Sequence, residues 1–226
     1  MKNSLHKFEI FKYGFTLAEV LITLVIIGVV AALTISAVIN TYVESSTVAK
    51  VKKGLSILGQ AKRLAEVQNG SIEGWDFGEG ATAETATQFW NYLKPHISLT
   101  KDCGTSSNCY SVMTTRLNRS YQESYNSTIY YKFILADGSV MWFRTGGLNG
   151  TGKCSVADGG VDNVCALFWY DVNGEKSPNV FGIDIFLYEF GKDGVFPFLT
   201  NNCTKDSFGS GCSGYIMQHN NMNYLH

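Results

Sequence analysis

Proline is nearly missing from this chain of 226 residues: three occur, Pro95, Pro178 and Pro197. Nothing ahead of Pro95 therefore obliges a helix to stop. An excess of either charge is missing too. Lys and Arg number 18 against 19 Asp and Glu, a net charge of -1, so no basic surplus points to nucleic acid and no acidic run forms a solvating tail. Catalytic signatures are absent: there is no G-x-S-x-G, no phosphate loop of the G-x-x-x-x-G-K-[ST] form and no H-E-x-x-H. The four histidines, His6, His96, His219 and His226, are scattered. None of the six cysteines forms a C-x-x-C pair, which weakens a zinc or thioredoxin-like reading.

What the chain has in abundance is glycine (23) and aromatic residues (13%), a mixture that suits a strand-and-turn domain rather than disorder. It also has one long apolar run. Residues 14–39 read G-F-T-L-A-E-V-L-I-T-L-V-I-I-G-V-V-A-A-L-T-I-S-A-V-I and hold a single charge, Glu19. About 20 apolar residues cross a bilayer as a helix, and a Sec signal core of roughly 7 to 15 residues is shorter than this run. A carboxylate near the start of such a segment costs energy and needs a partner or a role.

Gly14-Phe15-Thr16-Leu17, then Glu19, then the apolar helix, behind a short leader carrying Lys2, Lys7 and Lys12, resembles the processing site of type IV prepilins and the related pseudopilins. The resemblance implies a pilin-like α+β fold. It also implies that a prepilin peptidase cuts after Gly14 and methylates the new amino terminus at Phe15, and that Glu19 guides methylation and assembly. The partners so implied are copies of the same chain or related pilins, the peptidase and an inner-membrane assembly platform. No cofactor is required. Physical chemistry agrees: cleavage would create an ammonium at Phe15, one helical turn from Glu19, and a carboxylate in one subunit could neutralise an amine in its neighbour.

After Ile39 the pattern changes without a breaker. Val48, Val51, Leu55, Leu58, Ala61 and Ala65 recur at spacings of three and four with lysines mostly between them, which predicts one continuous helix over 16–68, ended by Asn69-Gly70. Gly28 and Gly54 are its weak points, each costing ~1 kcal/mol against alanine. The expected divisions are a leader (1–14), a membrane and filament-core half of the helix (15–39), an amphipathic half (40–69) and a globular α+β domain (70–226).

Within that domain, 71–82 reads as a glycine-rich loop with exposed Trp75 and Phe77, and 83–94 as a short second helix before Pro95. Strands are predicted over 128–135 and 139–144, joined through Ala136-Asp137-Gly138, and over 166–172, 181–190 and 195–199. Four or five antiparallel strands would cover the amphipathic half of the helix. The tail, 215–226, reads as a polar, partly ordered terminus.

The six cysteines all follow the apolar run, so the large domain is expected on the oxidising side of the membrane. The lysine count on the two sides of the span is close to even and does not decide orientation. Six cysteines allow 15 pairings. We pair neighbours, Cys103 with Cys109, Cys154 with Cys165 and Cys203 with Cys212, because each pair would close a short polar loop and add roughly 2 to 3 kcal/mol in the chain-entropy model. One further constellation stands out. Asp171, Asn173 and Glu175, with Asp184 returning from the next strand, offer oxygens for calcium; some pseudopilins hold calcium in a comparable loop. The alternative is a turn in which Asn173-Gly174 supplies the positive φ and Pro178 stiffens the loop.

The function expected is that of a structural filament subunit, made in the bacterial inner membrane with its C-terminal domain outside and then assembled. The alternatives are a type II secretion pseudopilin and an anchored adhesin or ligand-binding minor pilin. In the last case the loops around Trp75 and between Cys103 and Cys109 would make the contact.

Overall fold

The computed structural model describes residues 14–107, 109–146, 152–154, 163–199 and 202–226, without the side chains of 36 and 37. The leader ahead of Gly14 lies outside the described residues.

Helix α1 is continuous from Leu17–Asn69. The chain divides into two compact units, one ending at Val43 and the other beginning at Glu44. In the first unit the apolar side chains of α1 are exposed nearly all round, from Leu17 and Leu21 to Leu33 and Ile39. A helix that is apolar on every side cannot be satisfied by one packing partner in water. In the second unit the same helix becomes two-sided, burying Val48, Val51, Leu58, Ala61 and Ala65. It stops where Gly70 turns to φ +78° and donates its N–H to Glu66 O at 2.9 Å, a left-handed cap that favours glycine.

Helix α2 (Ala83–Leu93) opens on a reciprocal capping box between Thr82 and Thr85, which satisfies two otherwise orphaned N–H groups. Six antiparallel strands follow in one sheet: β1 (Leu99–Gly104), β4 (Tyr131–Leu135), β5 (Val140–Thr145), β6 (Val164–Asp171), β7 (Ile185–Gly191) and β8 (Val195–Pro197), ordered β1-β4-β5-β6-β7-β8. A separate two-stranded ribbon pairs β2 (Met113–Thr115) with β3 (Gln122–Ser124). Helix α3 (Cys212–His219) closes the element list apart from short 3-10 turns. The result is the α+β, pilin-like arrangement that the sequence implies, with one sheet strand more than the pattern suggested.

Both faces of the sheet are covered. The central strands β6 and β7 are buried along their whole length, which is why they read as apolar runs rather than as alternation. On the helix-facing side, Phe143, Phe168 and Phe190 surround Phe89 of α2 with ring centroids 5.3 to 6.4 Å apart. Trp90 stacks on Phe133 at 4.3 Å. Gly54 of α1 sits where Tyr170 and Tyr188 approach: a Cβ there would fall 2.7 Å from Tyr170 Cδ1. The Tyr188 hydroxyl donates to Val51 O at 2.7 Å. The glycine read as a weak point in the helix thus sits where the helix packs closely on two sheet tyrosines.

Two expectations are corrected. Trp75 and Phe77 are fully buried, Trp75 stacking on Tyr92 at 4.7 Å and donating its indole N–H to Gly70 O at 2.8 Å. Glycine neighbours gave them the look of a loop, but their ring area has a place under α2. The tail is ordered structure: α3 ends at Asn220 in the left-handed conformation, and Met222 and Tyr224 are buried, the Tyr224 hydroxyl donating to Gly182 O at 2.6 Å.

Candidate functional site

The start of α1 is built by three residues. Thr16 sits one residue ahead of the helix, and its hydroxyl oxygen accepts the Glu19 N–H at 3.2 Å. Glu19 reciprocates, its Oε2 accepting the Thr16 N–H and the Thr16 hydroxyl, each at 2.8 Å. This is a Thr-x-x-Glu capping box, and it answers part of the question of what a carboxylate does at the head of an apolar helix. It also complements the positive end of the helix dipole. Both accepted bonds fall on Oε2, and Oε1 accepts none from the described residues. Gly14 and Phe15 precede the helix and are exposed, so the Gly14–Phe15 bond is not shielded by helical hydrogen bonding.

The oxygen-rich loop follows β6. Asp171, the last residue of β6, is fully buried; its Oδ2 accepts from the Tyr110 hydroxyl at 2.7 Å and its Oδ1 from the Asn173 N–H at 3.0 Å. Burial, and then the nearby charge of Asp184, push its carboxyl up to about 7. Asp184 is also buried. Its Oδ2 accepts the Asn179 N–H (2.8 Å) and the Asn173 side-chain amide (3.2 Å), and its Oδ1 the Val180 N–H (2.6 Å). Burial raises its carboxyl as well. Gly174 and Asn179 take positive φ, and the Ser177–Pro178 peptide is cis. Asp171, Asn173 and Asp184 are thus brought together, while Glu175 stays exposed. The side-chain amide oxygens of Asn173 and Asn179 are buried without a donor. Among the described residues no group of three or more His, Cys, Asp or Glu side chains could hold a metal ion.

All six cysteines are bonded, Cys103 to Cys109, Cys154 to Cys165 and Cys203 to Cys212. The 103–109 loop is pinned from beneath by Lys132, a fully buried ammonium that donates to Ser106 O (3.3 Å), Ser127 O (3.4 Å) and Tyr130 O (3.2 Å). Sequence reasoning passed over Lys132; a lysine inside the run Tyr131-Lys132-Phe133-Ile134-Leu135 was the available signal.

A capped apolar helix directly behind a Gly-Phe step leads into an α+β domain stapled by disulfides. Residues 12–35 match the model for the prokaryotic N-terminal methylation motif. The chain therefore carries the prepilin-type cleavage and methylation signature of type IV pilins and pseudopilins, which points to a structural rather than a catalytic protein. No curated protein and no solved structure matches the chain. Among the described residues α1 is the one helix long and apolar enough to cross a membrane, consistent with anchoring before assembly.

Proposed function

We propose that this chain is a structural subunit of a type IV filament, made as a precursor anchored in the inner membrane. Its leader is removed after Gly14, Phe15 is N-methylated, and the mature chain joins copies of itself or related pilins through a membrane assembly platform. The observation that carries this reading is the match of residues 12–35 to the methylation motif, in register with a helix that begins two residues after Phe15. The capping box gives the assembly step a physical form. With Oε2 of Glu19 occupied by Thr16, Oε1 is the atom left to accept a neighbour's Phe15 ammonium, and a pair formed in an apolar bundle removes two isolated charges at once.

Intact-mass spectrometry on membranes and on material sheared from the cell surface tests it. The expected species lacks residues 1–14 and has gained one methyl group, and its presence in the sheared fraction separates a surface filament from a short secretion pseudopilus. An uncut chain in cells with an active prepilin peptidase would remove the reading. Glu19→Ala is expected to stay in the membrane and be lost from filaments; normal incorporation would refute the pairing of Glu19 with the amine.

For the Asp171 loop we infer a turn satisfied by the protein rather than a calcium site. All four carboxylate oxygens of Asp171 and Asp184 already accept protein donors, and Glu175 is exposed. Melting temperature is expected to be the same in millimolar calcium and in chelator; a rise of several degrees with calcium would reverse the assignment and favour the pseudopilin alternative.

A further inference from the structure

Past Glu44, where α1 packs on the sheet, the helix leaves two large apolar side chains in solvent among the described residues: Leu64 (51% exposed) and Val67 (87%). With half-buried Ile57 and with Gln60 they fall at 57, 60, 64 and 67, spacings of three and four that line them up as a ridge on one flank of the helix. The sheet takes a different side of α1, that of Val51, Leu58, Ala61 and Ala65. Exposed apolar side chains in register mark a contact surface rather than a random scatter.

The other flank is hollow. Between α1, the turn from β7 to β8, and α3 lies a groove of about 510 Å³, walled by the half-buried side chains of Leu55, Val195, Phe196 and Met217. Gly59 lines it too. Gly54 is explained by the tyrosines that crowd it, but Gly59 has no such neighbour: a Cβ there would meet only Arg63 Nη1, at 3.7 Å. A glycine weakens a helix interior, and nothing in its own fold asks for this one. Bare backbone at the bottom of a groove admits the close approach of another group. That group is apolar, because the charges around the groove are largely committed: Lys62 pairs with Glu66 at 2.6 Å, and Lys52 Nζ donates to Asn220 Oδ1. Arg63 and Asp193, one of each sign, complete the rim.

We propose that the Leu64–Val67 ridge of one copy seats in the Gly59 groove of the next. The chain itself supplies what the groove lacks, two aliphatic side chains one helical turn apart for a hollow with apolar walls and a nearly neutral rim. Gly59 and Leu64 are five residues apart, about 140° around the helix, so the contact joins two different patches. Such a heterologous contact leaves each copy with a ridge and a groove to offer, and it propagates into an open helical array unless its rotation closes a ring. The inference rests on the filament reading and assigns that filament a contact within the unit that begins at Glu44.

Photocrosslinking in cells that process the chain tests it, with p-benzoylphenylalanine in place of Leu64 in the full chain. Dimer-sized adducts from sheared filaments are expected to map to the groove, at residues 52–63, 193–196 or 217. Adducts on another protein, at position 64 of the second copy or elsewhere on it, or none in assembled filaments, would overturn the proposal. Two variants add a second readout. Gly59→Leu fills the groove where the monomer has room, and is expected to melt no lower than wild type yet fall at least about tenfold in the sheared fraction. Leu64→Asp, at an exposed position, is expected to show the same loss; normal filament yield in Leu64→Asp would overturn the proposal even if Gly59→Leu proved less stable. In both variants the membrane pool should still lack residues 1–14 and carry the methyl group. A cut, methylated, sheared chain without groove adducts removes this inference alone, whereas an uncut chain removes the filament reading and this contact with it.

Discussion

The two faces of the six-stranded sheet are buried by different chemistry. Toward the helices the strands present Phe133, Phe143, Phe168, Tyr188 and Phe190, all fully buried, against rings and aliphatic groups of α1 and α2. Polar atoms there are few: the Thr85 and Thr145 hydroxyls meet at 2.7 Å, while the buried Tyr170 hydroxyl has no hydrogen-bond partner among the described residues. The opposite face takes ionisable groups inside: Lys132, Asp171 and Glu189 are buried alongside Trp142, Leu167 and Trp169. Apolar burial at ~25 cal/mol per Å² drives folding on both faces, and the second face offsets part of it with the desolvated charge of these three groups.

The largest effect that would sharpen this contrast is expected from Lys132→Met. The substitution keeps the apolar stem but leaves the carbonyls of Ser106, Ser127 and Tyr130 without their shared donor. A loss of about 3 kcal/mol is expected, or roughly 6–12 °C in melting temperature for a chain of this size. An unchanged melt would mean that water replaces the ammonium. On the helix-facing side, Gly54→Ala gains ~1 kcal/mol of helix propensity yet drives a Cβ to 2.7 Å from Tyr170 and 3.0 Å from the Tyr188 hydroxyl. A net loss of about 1–2 kcal/mol is expected; a more stable variant would show that the aromatic face yields more readily than its packing suggests.

A third expected effect is a pH dependence. In the folded chain the carboxyl of Asp171 titrates near about 7, against ~3.9 unfolded. Above pH ~4 the unfolded chain ionises there while the folded chain does not, so stability falls as pH rises from about 4 to about 7 and then levels. Glu189, pushed up to about 7 by burial alone, adds to the same slope. Asp137 acts in the opposite sense: Lys53 and Ser139 hold its carboxyl down at about 2, so its contribution is lost only as pH falls below ~4. Melting in detergent is therefore expected to be higher at pH 5 than at pH 8. Asp171→Asn, which resembles the protonated acid, should shrink the difference by a few degrees, and an unaltered slope would assign it elsewhere.

Much of the fold was legible because local signals were undiluted. No proline interrupts α1, the period of its second half matches the face it buries, and Asn69-Gly70 ends it. The hairpin at Ala136-Asp137-Gly138 and the apolar strands β4 to β7 were visible for the same reason. Strand β1 was not, because Leu99-Thr100-Lys101-Asp102-Cys103-Gly104 is an edge strand with mostly polar, exposed side chains and shows neither alternation nor an apolar run. Short β2 and β3 lack hairpin turn residues of the usual kind. Trp75 was misplaced because its own sequence neighbours describe a loop, while its burial depends on Tyr92 and the carbonyl of Gly70. The processing motif was legible because it is linear.

The disulfides join near neighbours only, at sequence separations of 6, 11 and 9. Consider this chain under tension, gripped by its first helix and pulled at its outer surface. Each bridge hides at most its own loop from extension, about 20 to 40 Å of contour at ~3.5 Å per residue. No bridge clamps one strand of the six-stranded sheet to another across the hydrogen-bond ladder outside these local loops. Force would therefore be borne by the ladder itself and by the ring packing beneath it, and the strands could peel apart with every covalent bond intact and re-pair once the load was released.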